Sequence, residues 1–417
     1  HTRSFHVTGV QTCALPISEI RARAAPCELP SLTGADLMRQ AKQRSGSAVG
    51  GLDSWRTYEL QQLPIVFWDA MATLLQSIEA SGVWPQSMLH VNVTMLSKGE
   101  GTEPGKLRPI SCAAVLRAVW ASLRFRQIKP WLQRVCPPSV FGEPLEQALE
   151  MSLAHEEALL GLAPALSTMF FDKTKCFDKL VLPVVSSVWS ALGGPPGVIL
   201  ALEGFYGSLT RRFKINGVVG AAWQSSAPLQ GCALSVAMIH LLMGIWCQRN
   251  ESLGLRPRAY FDDSRVSFSA SDGQAATIAW QEVQRFDEVS GQLTNTRKSF
   301  AVVPAPRFAP QVAAATGNAL EVKAQAKVLG HQTVGGKLRR VAVSHDRADS
   351  CAATLQTVRA TGIPPRQAER YIAAKAMKQF LYGCEIGRPG AHDMQQVRWA
   401  VTTALWTSTR LQRNPEV

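Results

Sequence analysis

Three aspartates stand where carboxylates can do chemistry. Asp172 closes an apolar run, LSTMFFD, and Asp262 with Asp263 lies between the aromatic pair Tyr260-Phe261 and a second apolar stretch. A carboxylate at the end of a buried strand loses its hydration unless a cation compensates, and Mg²⁺ is the usual compensator when every ligand is oxygen. Two such strands side by side would gather three carboxylates around two ions. Ions roughly 3.5–4 Å apart can activate an attacking hydroxyl and stabilise a leaving phosphate oxygen. Either aspartate site taken alone fits a turn or helix-cap carboxylate better than a metal ligand.

The surrounding pattern supplies the elements to position them. Leu166 to Asp172 reads as a short strand running into its acid, and Ala259 to Ala270 as two strands flanking the acidic pair. From Leu52 to Gly82 apolar residues recur at helical spacing with an interruption near Pro64, which predicts a broken amphipathic helix. His90 to Leu96 alternates as a strand, Lys98 to Lys106 is a Gly-rich turn, and Val115 to Leu132 returns to helix. The breaker run Gly193 to Gly197 separates two helices. Arg211 to Val219 reads as a hairpin around Asn216-Gly217, and Ala233 to Cys247 as a buried helix with His240 as a packed histidine. The remainder is expected to be mostly helical, with one strand-like piece near Val328 and with Tyr371 and Tyr382 in the core. Strands interspersed with helices make the class α+β.

Bulk composition narrows the function classes. The chain has 417 residues, 46% hydrophobic, enough for two or three lobes and against a disordered chain. Its net charge of +13 suits a polyanionic partner, although a membrane surface or plain solubility would account for the charge as well. Nine cysteines show no C-x-x-C pair, which points to a reducing, intracellular setting (nuclear or cytoplasmic) and away from structural zinc or a disulfide framework. No apolar run reaches the roughly 18 residues of a membrane span, so no membrane partner is expected. The segment VTGVQTCALPI, Val7 to Ile17, resembles a translated sequencing-library adapter. With no initiating Met, the expectation is a gene fragment whose start lies upstream.

Seven blocks in order give the chain a family resemblance. Lys98 with Leu107-Arg108-Pro109-Ile110, Asp172 to Asp178 (DKTKCFD), Gln230 to Ser235 (QGCALS), Tyr260 to Asp263 (YFDD), Gly291 to Lys298 (GQLTNTRK), Val328-Leu329-Gly330 and Phe380 to Gly383 (FLYG) follow one another. Together they resemble reverse transcriptases, particularly those of non-long-terminal-repeat, LINE-type retrotransposons, across about residues 51–383.

The resemblance implies a right-hand polymerase, α+β, with fingers, palm and thumb and an antiparallel palm sheet backed by helices. The implied divisions are an artefact at 1–17, a lead-in at 18–50, fingers at 51–165, and palm at 166–335 with a fingers insertion at about 185–225. A truncated thumb would occupy 336–417. The implied reaction is RNA-directed DNA synthesis with two Mg²⁺ ions, or Mn²⁺ in their place, held by Asp172, Asp262 and Asp263. Its partners would be an RNA template, a DNA primer and deoxynucleoside triphosphates. Lys98, Lys106 and Arg108 would clamp the triphosphate, and Lys298 would protonate the leaving pyrophosphate. Phe177 would act as a steric gate against a 2′-hydroxyl, and Gln230-Gly231 would let the backbone approach nucleotide and template. Tyr260 and Phe261 would lie beneath the primer end, with Leu329-Gly330 as primer grip. Arg211, Arg212 and Lys214, with Arg366, Arg370, Lys375 and Lys378 near the thumb, would grip phosphates.

The sequence departs from the family at several points. Phe261 stands where an Ala is usual, Ala233 and Val236 stand where prolines are expected, and Gly142-Glu143-Pro144 lacks the basic residues of the template grip. Two further readings remain alongside: a viral-type RNA-dependent RNA polymerase, and a domesticated nucleic-acid-binding protein that kept the fold without catalysis.

Overall fold

The computed structural model describes residues 24–46, 50–51, 55–97, 107–142, 165–215, 218–328, 331–334, 342–382 and 389–405. Twelve strands lie among them: β1 (His90–Ser97), β2 (Leu107–Cys112), β3 (Val140–Phe141), β4 (Leu166–Phe171), β5 (Thr210–Ile215), β6 (Val218–Gln224), β7 (Arg256–Tyr260), β8 (Asp263–Ser269), β9 (Phe300–Val302), β10 (Glu321–Lys323), β11 (Gln325–Val328) and β12 (His331–Val334). With the helices between them, the chain is α+β. It divides into two compact units: 1–142 with 171–266 and 279–295, and 143–170 with 267–278 and 296–417.

The first unit is built on three long helices. Ile65–Ser81 starts after Pro64 and buries Trp68, Met71, Ala72, Leu75 and Ile78, a stripe at three- and four-residue spacing. It stops at Gly82, which takes φ +72° and donates its N–H to the Ile78 carbonyl at 2.7 Å. Helix Val115–Val135 lies alongside. There Glu79 accepts from Trp120 Nε1 (2.7 Å), Arg124 Nε (2.7 Å) and Arg124 Nη2 (2.5 Å), which satisfies a buried guanidinium. Helix Ala233–Ser252 is buried on nearly every side, so it carries no polar stripe and forms the centre of the unit. This is the buried helix expected from the sequence, extended by one turn.

Close backbone approach fixes the neighbouring helix Pro196–Ser208. A Cβ added at Gly204 would stand 1.7 Å from the carbonyl oxygen of Gly82. Gly204→Ala is therefore expected to destabilise the protein by about 1–3 kcal/mol or more, read as a lower urea midpoint with an unchanged slope. A wild-type midpoint would show that the two segments separate freely.

A four-stranded sheet in the order β2-β1-β5-β6 belongs to this unit. β1 pairs antiparallel to β2 and parallel to β5, and β5 pairs antiparallel to β6 with an irregularity between Arg212 and Lys214. The hairpin expected around Asn216-Gly217 is thus present as paired strands, longer than anticipated. Its two turn residues lie outside the described residues. β3 pairs parallel to β7, and a two-residue turn links β7 to its neighbour β8.

In the second unit, β10 pairs parallel to β9, β9 antiparallel to β4, and β11 antiparallel to β12. Thr168 and Ser267 join β4 to the far end of β8 through their hydroxyls at 2.8 Å. The sheet expected to be antiparallel is mixed, with parallel pairs at β3–β7 and β10–β9. The region after Ala270 holds four short strands, where one was expected near Val328. Strands of three or four residues show too few alternations to stand out from flanking helix. The helices Ala342–Ala360, Pro365–Tyr371, Met377–Leu381 and Ala391–Leu405 gather around Cys351, Leu355, Ile372, Phe380 and Val397. Tyr371 and Tyr382, expected in the core, are exposed instead.

Candidate active site

The acidic pair sits on a strained turn. Phe261, between β7 and β8, has φ +53°, a left-handed conformation that costs a residue with a Cβ roughly 1–2 kcal/mol. Several contacts hold it there. Its N–H donates to the Phe141 carbonyl at 3.3 Å, Tyr260 meets its ring edge-on at 4.8 Å, and the His240 ring stacks on it at 5.7 Å. His240 is in turn closed in by Gly142, where a Cβ would stand 1.6 Å from Nε2. Strain that surroundings maintain concentrates at functional sites. Here it aims Asp262, half-buried, and Asp263, exposed as the first residue of β8.

Asp172 is positioned by a separate set of bonds. β4 ends at the buried Phe171, and the segment 292–295 then zips onto residues 172–176. Asn295 N–H donates to the Asp172 carbonyl (2.8 Å), Thr174 N–H to the Leu293 carbonyl (2.8 Å), and Gln292 Nε2 to the Cys176 carbonyl (3.3 Å). Beneath this, Lys173 points inward. Its Nζ lies 2.5 Å from Asp287 Oδ1 and 2.9 Å from Thr294 Oγ1, while Asp287 Oδ2 accepts the Thr294 N–H at 2.6 Å. Burial pulls the Lys173 ammonium below its ordinary pKa, and Asp287 works against that.

Electrostatics tie these groups together. The Asp262 carboxyl is raised above the usual carboxylate range, first by burial and then by the negative charge of Asp172. A hydrogen bond from its own backbone and the Arg108 guanidinium oppose the rise. Asp262 also contributes to raising the Cys176 thiol, which burial pushes well above the ordinary thiol range. Cys176 opens the 3₁₀ turn Cys176–Lys179 that carries the half-buried Phe177. Asp172, Asp262, Arg108 and the turn bearing Phe177 thus act on one neighbourhood of the first unit.

An all-oxygen pair, Asp172 and Asp262, whose like charges oppose one another, suits a hard divalent cation such as Mg²⁺. Among the described residues no group of three His, Cys, Asp or Glu side chains is gathered tightly enough to form a ready-made metal cluster. Asp263, the third carboxylate expected from the sequence, is exposed at the start of β8.

The other expected residues fall in varied places. Gly231 has φ +95°, a conformation that favours glycine, and faces open space with half-buried Gln230 before it. On β5, Arg211 is buried and donates to the Ala227 carbonyl, Arg212 is half-buried, and Lys214 is exposed. The buried Arg211 braces the fold and does not present its charge to solvent, because burial outweighs exposure on that face of the strand. Lys298 is exposed in the second unit, as are Arg366, Arg370 and Lys378, with Lys375 over the Tyr371 ring at 5.3 Å. Lys98, Lys106, Glu143, Pro144, Leu329, Gly330 and Gly383 lie outside the described residues.

Sequence reasoning missed Asp287 and Thr294. Their only signal is an acidic pair, Asp287-Glu288, late in a helix and a Thr in the following turn, which periodicity does not distinguish from surface. No protein-family model matches the chain. No helix among the described residues is long and apolar enough to cross a membrane.

Proposed function

We propose that this chain is an RNA-directed DNA polymerase that extends a primer 3′-hydroxyl with deoxynucleotides by two-metal phosphoryl transfer. The observation that carries the reading is strand placement: Asp172 follows directly on β4 and the pair Asp262-Asp263 opens β8, the neighbour of β4 in the sheet although about 90 positions later in the chain. Turn or cap carboxylates have no reason to converge in this way.

Asp172 and Asp262, with Asp263, would hold the ions. When bound, Mg²⁺ would supply activation of the attacking hydroxyl and neutralisation of phosphate charge. Arg108, presented on the exposed face of β2, would orient an anionic triphosphate through its planar donors. Gly231 offers backbone without a side chain at an open position, where a nucleotide and its template base can approach. Phe177 follows a residue in electrostatic contact with Asp262, which suits a ring that crowds a 2′-hydroxyl. Catalysis would come from positioning and charge stabilisation rather than covalent chemistry.

Primer extension tests the reading. With an RNA template, a labelled DNA primer, deoxynucleotides and Mg²⁺, extension is expected and chelation should stop it; binding without extension under any divalent ion would overturn it. Phe177→Val is expected to raise ribonucleotide incorporation about tenfold relative to deoxynucleotides. Unchanged sugar selectivity would remove Phe177 from the gate and favour a different role for its ring.

A further inference from the structure

A second constellation lies in the first unit, around a buried arginine. Arg117, on helix Val115–Val135, is 1% exposed, and among the described residues no carboxylate pairs with it. Its Nη1 donates to Cys232 Sγ at 3.1 Å and its Nη2 to Tyr206 Oη at 3.5 Å, and its guanidinium carbon sits 4.0 Å above the Phe205 ring. Its Nε has no partner among the described residues. A wholly buried guanidinium needs a counter-charge, and an aromatic face supplies only part of one. Cys232 is the N-cap of the 20-residue helix Ala233–Ser252, where unpaired N–H groups favour an anion. Arg117, Cys232, Gly231 and Ala233 line a cavity of about 340 Å³, with Arg44 and Ser111 on its wall.

We propose that Cys232 is a nucleophilic thiolate held as the counter-ion of Arg117, and that it is a modification site for small electrophiles, hydroperoxides foremost, that enter this cavity. The thiolate sulfur attacks one peroxide oxygen, so that an S–O bond forms as the O–O bond breaks. Sulfur is oxidised to the sulfenic acid, the peroxide is reduced, and the second oxygen leaves as hydroxide, which solvent protonates. The electrostatics agree with the geometry. Burial alone would raise the thiol, yet the Arg117 charge and hydrogen bond, with the Ser235 and Leu234 N–H groups, bring Cys232 below its ordinary value. The other groups facing it are Tyr206, whose hydroxyl burial keeps protonated, and Ser235. Cys176 and Cys247 are held the opposite way, both raised by burial.

The test is peptide-resolved mass spectrometry of the whole chain under native conditions, with iodoacetamide as alkylating probe and hydrogen peroxide as competitor. The rate at Cys232 is expected to change only a few-fold between pH 8.5 and pH 6, whereas a thiol titrating near pH 8.5 slows about a hundredfold. Peroxide pretreatment should protect Cys232 reversibly, with thiol reductant restoring it. Arg117→Met should impose the ordinary hundredfold slowing, and Arg117→Lys should keep most of the low-pH reactivity. If Arg117→Met fails to fold, the wild-type pH ratio still decides. A hundredfold loss in the wild type, no native labelling at either pH, or no protection by peroxide would each overturn the proposal.

Discussion

Replacing Asp262 with asparagine is expected to do two opposite things at once: lower primer extension by about 10³-fold or more, and raise the thermal midpoint of the metal-free protein by about 1–3 °C. The first effect follows from losing an ion ligand and the second from the geometry. Burial and the Asp172 charge raise the Asp262 carboxyl, so the folded state holds its proton to higher pH than the unfolded state does. Through that window the folded state binds more protons, and stability falls as pH rises. At neutral pH the ionised carboxylate therefore works against the fold, and the isosteric neutral amide relieves it. The gain should shrink as pH drops through the raised folded-state pKa, where Asp262 takes up its proton, and vanish below the ordinary carboxylate value of the unfolded chain. Added Mg²⁺ should raise the midpoint of the wild type and leave Asp262→Asn nearly unmoved. A variant that loses stability in the absence of metal would show that Asp262 serves the fold and not an ion.

The second large effect concerns the brace under Asp172. Asp287→Leu would leave Lys173, 2% exposed, as a charge buried without its partner, a loss of about 3–5 kcal/mol. It would also release the Thr294 N–H that Asp287 accepts and loosen the 292–295 segment that fixes the Asp172 carbonyl. A displacement of about 1 Å at a catalytic group can cost some 10²-fold in rate, so activity should fall even where the variant folds. Lys173→Met combined with Asp287→Leu should recover most of the stability, because a neutral pair needs no compensation. Urea unfolding of the two singles and the double measures this directly. Additive losses in the double would mean that the two side chains do not act on each other.

Much of the architecture was legible in the sequence because it depends on local pattern. The helix ending at Gly82, the strand before Asp172 and the paired strands either side of Asn216-Gly217 each follow from spacing or turn chemistry within a few residues. The buried helix after Cys232 was legible for the same reason, since a run apolar on every face has nowhere to go but the interior. The three-residue strands β9 and β10 and the parallel pairings were not legible. Three residues carry almost no periodicity, and pairing direction is set by which segments the chain brings together.

The residue types at the candidate site were likewise written in the sequence: carboxylates at strand ends, a glycine at an open turn, cations nearby. What those residues do depends on distance and burial, and only the tertiary structure decided that. It turned Arg211 inward onto a carbonyl, set a strained Phe261 beneath the acidic pair, gave Lys173 a partner 114 residues away, and left Arg117 with a sulfur where a carboxylate would be usual. The physical reason is one of range. Backbone preference and hydrophobic period act over a handful of residues, whereas charge and hydrogen-bond satisfaction depend on neighbours that the chain order does not name.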